Sequence, residues 1–486
     1  MKKIAVLRGV PPPYDEDEED KTAAGGNMER IEQLNRAVSG VVWGAPMIAL
    51  MLAAGLFLGA RCGFVQIFRL RYTLKNTLGR MFRRGGAEKG SVTPFQATAT
   101  ALAATVGTGN ISGVAYALAL GGAGALFWLW VSALIGMCTK YAEAALAVRF
   151  RERGENGDWV GGPMYYIKNG LGPRFAWLAA LFCVFGALAS FGIGNAVQTG
   201  NVVDAVNGAL AAFRTPGSWN PARVGVVTGA AVAVAAAVTL IGGMKRIGRA
   251  AELIVPVMSV LYLAGALLVI LSGADRLPAV FARVLREALT PRAAAGGAAG
   301  FSVKTALQWG LKRGIFSNEA GLGSSPIAHA GTSGTEPVAQ GLYGVCEVFA
   351  DTLVICTITG LSLLVSGVPL GADGGASANI AAFATVFGAK IAAVIISACT
   401  ALFALATVLG WSLYGVRCAE FLFGARGARV YRAVYILVIF LGATLKLRLV
   451  WELSDTLGGL MALPNLIALL ALSGVAAKLT REHFRK

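Results

Sequence analysis

The chain has 486 residues, of which 14% are charged, and its mean hydropathy is +0.64. A soluble domain usually carries about 25% charged residues, so this composition excludes an ordinary soluble protein. Apolar stretches of roughly 20 residues recur along the chain, which is enough to cross a ~30 Å hydrocarbon core as helices. Helices are favoured because they satisfy their backbone hydrogen bonds internally, and the ~10-residue alternation of barrel strands is not visible. The sequence predicts an all-α, polytopic membrane protein.

The formal charge of +17 does not indicate nucleic-acid binding. The basic residues lie in short loops between apolar stretches, as the positive-inside rule produces, and do not form one face of a folded domain. The seven cysteines are scattered without CxxC spacing, and only two histidines are present, so neither a zinc site nor a disulfide framework is expected. Without an HExxH motif or a P-loop, the sequence predicts no enzyme, no organic cofactor and no nucleotide-driven pump. It also indicates no obligate protein partner.

Residues 1–37 differ from the rest of the chain in composition. They contain Pro11–Pro13 and the acidic run Asp15–Asp20, which cannot form a buried core, so we expect a short disordered N-terminal segment. Met28 opens an amphipathic stretch, and translation from Met28 is one hypothesis for the native start. A membrane domain is expected at residues 38–480, followed by a cytoplasmic tail at 481–486.

The sequence predicts about eleven hydrophobic spans in the membrane domain. They lie at 38–60, 93–120, 123–149, 174–208, 222–242, 249–272, 301–328, 340–366, 387–416, 429–446 and 456–478. Most basic loops fall on one side when the crossings are counted, although loop 273–300 is an exception. This distribution predicts an external N-terminus and a cytoplasmic C-terminus in the cell membrane.

Two spans are interrupted by glycine and polar residues. The second span contains Thr105–Gly113 (TVGTGNISG), and the seventh contains Gly314–Pro326 (GIFSNEAGLGSSP). Glycine in a helix interior costs about 1 kcal/mol relative to alanine, so both segments are weak helix centres. With the first span set aside, they occupy corresponding positions in two five-helix halves, about 93–272 and 301–478. Paired breaks of this kind are typical of inverted-repeat secondary transporters, whose substrate lies near the membrane midplane.

The breaks also explain how such a site works. An unwound segment frees backbone carbonyls for a cation, and the following half-helix presents its N-terminal amides to a carboxylate. For the first segment alone, close helix packing through the Gly109 and Gly113 pair is an equally good interpretation. The matching break in the seventh span favours the substrate site.

Several strings together resemble the alanine/glycine:cation symporter family, a branch of the transporters with the leucine-transporter-like fold. The resemblance covers nearly everything from about Met28 onward. The strings are Val42–Gly44, Gly63–Gln66, Thr105–Ile111, Lys140–Glu143, Gly161–Tyr166, Gly194–Gln198, Gly242–Ile247, Phe316–Ser324 and Leu409–Trp411. The resemblance implies an N-terminal helix followed by a five-plus-five inverted repeat. It also implies sodium-coupled symport of alanine or glycine into the cell.

The resemblance further implies roles for individual residues. The expected substrate contacts come from the two breaks and from the third and eighth core helices: Thr108, Gly109, Asn110, Gln198, Ser317, Asn318 and Trp411. A sodium ion is expected at Ala104, Gly107 and Thr407. Where a second hydroxyl is expected beside Thr407, this chain has Ala406, which leaves the coupling ion open.

Asp351 and Glu319 are candidate coupling residues, because carboxyl groups inside a bilayer are costly and are often functional. The main alternative is therefore a proton-coupled symporter of another small zwitterion on the same fold. An ion channel is disfavoured, because channels seldom need two broken helices in inverted halves.

Overall fold

The computed structural model describes residues 23–77, 79, 92–155, 157–213, 217–290, 303–333, 335–370, 375–444 and 448–485. Within these residues nearly all regular structure is helical, and eight helices are long and apolar enough to cross a membrane. The described strands form one short antiparallel hairpin, Glu152–Arg153 with Trp159–Val160. The prediction of an all-α, polytopic membrane protein is confirmed.

The chain begins with two helices that precede the transporter core. They are Ala23–Val42 and Ala45–Cys62. The expected disorder through residue 37 is therefore wrong from Ala23 onward, while residues 1–22 lie outside the described residues. The end of Ala23–Val42 is held by a tertiary contact that composition does not reveal. The indole N–H of Trp43, the next residue, donates to the carbonyl of Asp455 at 2.7 Å, near the far end of the sequence.

Five core helices form the first half of the transporter domain. We number them in chain order: helix one is Pro94–Thr105, Gly109–Gly113 and Val114–Gly121; helix two is Gly124–Arg149; helix three is Ala176–Phe191, Gly192–Ala196 and Val197–Phe213; helix four is Pro221–Leu240; helix five is Gly243–Ser272. The segments Gly109–Gly113 and Gly192–Ala196 are π-helical turns, which often occur at functional sites.

The second half repeats the interruption in its first helix. Helix six is Val303–Asn318 and Pro326–His329; helix seven is Pro337–Val348, Phe349–Cys356 and Thr357–Ser366; helices eight and nine lie within Ala389–Gly442; helix ten is Arg448–Ala471. Gly424, at φ 68°, has a non-helical backbone and separates helix eight from helix nine. Each of the predicted spans has a helical counterpart among the described residues. Connecting helices lie at Val65–Phe68, Leu70–Asn76, Pro163–Tyr166, Leu277–Leu289 and Gly375–Phe387.

The C-terminal boundary differs from its prediction. The last span was expected at 456–478 and a tail at 481–486, but helix ten ends at Ala471 and a new helix runs from Ser473 to Arg485. This final helix is amphipathic and packs back onto the protein. Its Thr480 hydroxyl bonds the Tyr141 hydroxyl at 2.8 Å, and His483 bonds Tyr72 at 3.3 Å.

Helices two and seven approach each other closely through glycine. A Cβ added to Gly341 would lie 2.9 Å from the Tyr141 carbonyl oxygen, and one added to Gly344 would lie 2.9 Å from the Lys140 carbonyl oxygen. These distances are shorter than real side chains tolerate, so glycine is required at both positions. The contact fixes the polar residues of helix seven against helix two.

We expect Gly341→Ala to lower the thermal unfolding midpoint of the detergent-purified protein, because the added methyl group must push helices two and seven apart. Gly40→Ala is the matched control, since a Cβ at Gly40 meets nothing within 4 Å. Gly40 lies in a helix, so its replacement should leave the midpoint unchanged or raise it slightly. Equal midpoints for the two variants would contradict the close packing.

Candidate functional site

The break in helix one is closed by a side chain of the same segment. Helical geometry ends at Val106, which has φ −79° and ψ 86°. The Gly107 N–H, freed from the helix ladder, donates to Asn110 Oδ1 at 2.9 Å. Asn110 is fully buried, so it replaces the water that this amide would otherwise need.

The break in helix six is held by its own Asn318 and by side chains of helices two and ten. Glu319 has a left-handed backbone with φ 54°, and the glycines that follow it include Gly321 at φ 90°. Asn318 Oδ1 accepts from the Ala320 N–H at 3.0 Å. The Gly321 N–H donates to Glu143 Oε1 on helix two at 3.1 Å, and the Gly321 carbonyl accepts from Asn465 Nδ2 on helix ten at 2.9 Å.

Asp351 on helix seven joins the two breaks. Its Oδ1 accepts from Asn110 Nδ2 at 2.7 Å, and its Oδ2 accepts from the Ser317 hydroxyl at 2.9 Å and from the Thr352 hydroxyl at 2.7 Å. Asn110 also donates to the Ser317 oxygen at 3.1 Å. One buried carboxyl group therefore binds residues from both interrupted helices.

Glu319 fixes the expected wall of the pocket. The Trp411 indole N–H donates to Glu319 Oε1 at 2.9 Å, and the Ser324 hydroxyl donates to Glu319 Oε2 at 2.5 Å. On another side Trp411 packs directly against Gly194 of helix three, where a Cβ would overlap the tryptophan side chain. The indole is therefore fixed in position between helices three and six.

Helix three contributes a second set of polar groups. The Thr108 hydroxyl donates to Gln198 Oε1 at 3.0 Å and accepts from Asn201 Nδ2 at 2.8 Å. Beside Thr108, a Cβ at Gly109 would meet nothing closer than the Phe316 ring at 3.9 Å, so there is space at this backbone. Asn201 and Phe316 were absent from the predicted set, although both lie within a few residues of predicted members.

The residues expected to bind sodium also lie together. A Cβ at Gly107 would overlap the Thr407 hydroxyl, and a Cβ at Gly410 would lie 2.7 Å from the Ala104 nitrogen. The Thr407 hydroxyl donates to the Phe403 carbonyl at 3.0 Å, so its oxygen lone pairs remain available to a cation. Helix eight thus packs directly on the end of the first part of helix one.

Sequence reasoning missed a buried ionic chain behind the helix-six break. Lys140 of helix two forms an ion pair with helix seven, since its Nζ lies 3.3 Å from Glu347 Oε1. The same Nζ donates a hydrogen bond to the Ser325 hydroxyl at 2.7 Å. Glu347 Oε2 lies 2.8 Å from His329 Nε2. Charged residues within apolar spans were the available signal, but their partners are distant in sequence.

The cytoplasm-directed ends of the two broken helices, as the predicted topology places them, are joined by backbone hydrogen bonds. The Val92 N–H donates to the Gly331 carbonyl at 3.2 Å, and the Ser333 N–H donates to the Val92 carbonyl at 3.1 Å. Arg151 contacts the Thr332 carbonyl beside this junction. Helices one and six are therefore connected at their ends as well as at their breaks.

A multi-pass helical protein with two interrupted helices of this kind belongs to the class of secondary transporters with the leucine-transporter-like fold. The architecture is similar to that of the solved structure of MhsT in complex with L-phenylalanine, with a TM-score of 0.56 and 15% identity, covering 81% of this chain and 99% of that one.

The chain is a member of the sodium:alanine symporter family, whose sequence model matches residues 28–486. It is 43% identical to the sodium/alanine symporter AgcS of Methanococcus maripaludis, over 93% of this chain and 97% of that protein. It is 37% identical to the probable sodium/glutamine symporter GlnT of Bacillus subtilis, over 94% of this chain and 91% of that protein. Membership places the chain among cation-coupled amino-acid symporters, not enzymes.

We expect Asp351→Ala to destabilise the protein, because it leaves Asn110 and Ser317 without their shared acceptor. Each buried donor left unpaired costs about 1–3 kcal/mol. The thermal unfolding midpoint of the purified protein should fall clearly, while Asp351→Asn, which keeps one acceptor oxygen, should lower it less. The exposed Asp204 is the control, and Asp204→Ala should change the midpoint little. An Asp351→Ala midpoint equal to that of Asp204→Ala would contradict the bridging role.

Proposed function

We propose that this protein couples sodium entry to the uptake of a small neutral amino acid, alanine or glycine, by alternating access. The observation that carries the proposal is the pair of helix breaks joined through Asp351, with polar groups and open backbone between them. The cell membrane is its proposed location, with the C-terminus in the cytoplasm. The loop charges support this orientation.

The substrate is proposed to lie between the two breaks. Its carboxylate would be held by backbone groups near Thr108 and Gly109, where the glycine leaves room for a close approach. Asn318 supports this placement, because its buried Nδ2 has no hydrogen-bond partner among the described residues. A buried donor without an acceptor is costly, and a bound zwitterion would supply the missing oxygen. Asn110, Gln198 and Ser317 provide the remaining polar contacts.

Trp411 is proposed to restrict the size of the substrate side chain. A rigid wall excludes large side chains more sharply than a roomy pocket excludes small ones. The names of the relatives mention both alanine and glutamine, so membership alone does not decide between these substrates. The buried indole, held by Glu319 and packed against Gly194, favours the smaller amino acids.

Sodium is proposed to bind between helices one and eight. Sodium is a hard cation that prefers carbonyl and hydroxyl oxygens, by the same logic that governs calcium and magnesium. The proposed ligands are the carbonyls of Ala104 and Gly107 and the hydroxyl of Thr407. The close packing of Gly107 against Thr407 and of Ala104 against Gly410 supports this choice. Ala406 has no side-chain oxygen, so the ion has fewer side-chain ligands than expected. Proton coupling through Asp351 or Glu319 is therefore the second candidate.

The test is uptake of labelled alanine into proteoliposomes containing the purified protein, with an inward sodium gradient against a choline control. Sodium-dependent accumulation is expected. Accumulation that depends only on a proton gradient would favour the second candidate. No accumulation with either ion would overturn alanine as the substrate, and a panel of other small zwitterions would then be measured in the same vesicles.

We expect Thr407→Ala to raise the sodium concentration for half-maximal uptake about tenfold, which corresponds to ~1.4 kcal/mol of binding free energy. Thr400→Ala is the matched control, because Thr400 is equally buried two turns earlier on the same helix and its hydroxyl has no partner among the described residues. The control should keep the original sodium dependence. Equal sodium dependence in both variants would remove Thr407 from the ion site.

A further inference from the structure

Four ionisable side chains form a buried cluster behind the helix-six break, and the transport site described above does not use all of them. We call Lys140, Glu143, Glu319 and Glu347 the carboxyl cluster. They are between 0% and 3% exposed, and the lysine interacts electrostatically with all three carboxyl groups. The cluster joins helix two, the break in helix six and helix seven.

The charges in the carboxyl cluster do not balance. Three carboxyl groups face one ammonium group, so with all three ionised at least one negative charge would be uncompensated, whether or not the His329 imidazole carries a charge. Taking an ion out of water costs several kcal/mol unless a partner repays it. A buried carboxyl group without such a partner is instead neutralised by a proton. At least one proton, or another cation, is therefore required in this cluster.

Hydrogen bonds and ion pairs together show which carboxyl oxygen lacks a partner among the described residues. Both oxygens of Glu319 accept hydrogen bonds, from Trp411 and from Ser324. Glu347 Oε2 lies 2.8 Å from His329 Nε2. Glu347 Oε1 accepts no hydrogen bond among the described residues, but it lies 3.3 Å from the Lys140 ammonium group in an ion pair.

Glu143 differs from the other two carboxyl groups. Its Oε1 accepts from Gly321 at 3.1 Å and from Asn465 at 2.6 Å, whereas its Oε2 has no partner among the described residues. A bare anionic oxygen in this position would cost more than a neutral hydroxyl.

Among the described residues, Lys140 is the one cation that interacts electrostatically with Glu143, and Glu347 is the one carboxyl group that does so. The other titratable groups that face Glu143 are the hydroxyls of Tyr166 and Tyr414. Tyr414 is 1% exposed, and its hydroxyl also has no hydrogen-bond partner in the described part of the chain. A second buried oxygen without a hydrogen-bond partner therefore lies within electrostatic range of Glu143.

We propose that Glu143 is a proton-binding site of this transporter, with the proton on Oε2. The proposal deepens the proposed symport function and rests on it for its effect on uptake. Because Oε1 accepts from Gly321 inside the helix-six break, proton affinity at Glu143 is linked to the conformation of that break. Loss of the Gly321 and Asn465 donors would destabilise the carboxylate and tighten proton binding. By reciprocity, pH alters the transport cycle through the same contacts.

The first test is the pH dependence of sodium-driven alanine uptake. Glu143→Gln imitates the protonated carboxyl group, so uptake should persist while its severalfold dependence on pH disappears. Glu252→Gln is the matched control, because Glu252 is a half-buried glutamate on helix five that accepts from Gln96 at 3.0 Å, outside the cluster. The control should keep the wild-type pH profile. A wild-type profile in Glu143→Gln would overturn the proposal.

A second test needs no transport, so it separates failure of the proton site from failure of the proposed function. Infrared spectra of the purified protein should contain a buried protonated-carboxyl band at neutral pH that Glu143→Gln lacks. A band unaffected by this substitution, or no such band in the wild type, would overturn the proposal; in the second case a metal cation would have to balance the cluster. Should Glu143→Gln fail to fold, Glu143→Asp should keep the band and shift the pH at which it is lost, and an unshifted pH would contradict the assignment.

Discussion

The structure depends on satisfying the backbone groups that two broken helices release inside a bilayer. Water is scarce at this depth, so each freed N–H and C=O group needs a partner within the protein. The side-chain oxygens of Asn110, Asn318 and Glu143 accept from such N–H groups, and Asn465 donates to such a carbonyl. Helices two and ten are therefore positioned by the break in helix six, as well as by apolar packing.

The same constraint explains why polar side chains gather at the two breaks. Polar side chains brought in to complete the broken backbone are costly to bury alone, so they bond to one another and form a connected network. Asp351 is the clearest case, since it accepts from Asn110 of helix one and from Ser317 of helix six. A change at either break alters hydrogen bonds at the other. That connection is what coupled binding of two ligands requires.

The sequence was sufficient to locate the spans and the two breaks, whereas the roles of the site residues stay predictions. Those features are local: glycine runs, polar interruptions and apolar length are visible in single segments. Contacts such as Glu143 with Asn465, or Asp351 with Asn110, join residues hundreds of positions apart, and no periodicity encodes their distance. The helices at Ala23–Val42 and Ser473–Arg485 were missed or misplaced for a related reason. Both are stabilised by packing on other spans rather than by strong apolar character of their own.

Glu319 contacts both the proposed wall of the substrate pocket and the buried charges. It accepts a hydrogen bond from the indole of Trp411, which is the proposed wall, and it is within electrostatic range of Lys140 and Glu347. Because one side chain at the break makes both contacts, a conformational change of helix six moves them together. The orientation of Trp411 and the charge balance around Lys140 are therefore not independent variables. With Trp411 in its proposed role, the charge state of the carboxyl cluster would affect the fit of the substrate beside it.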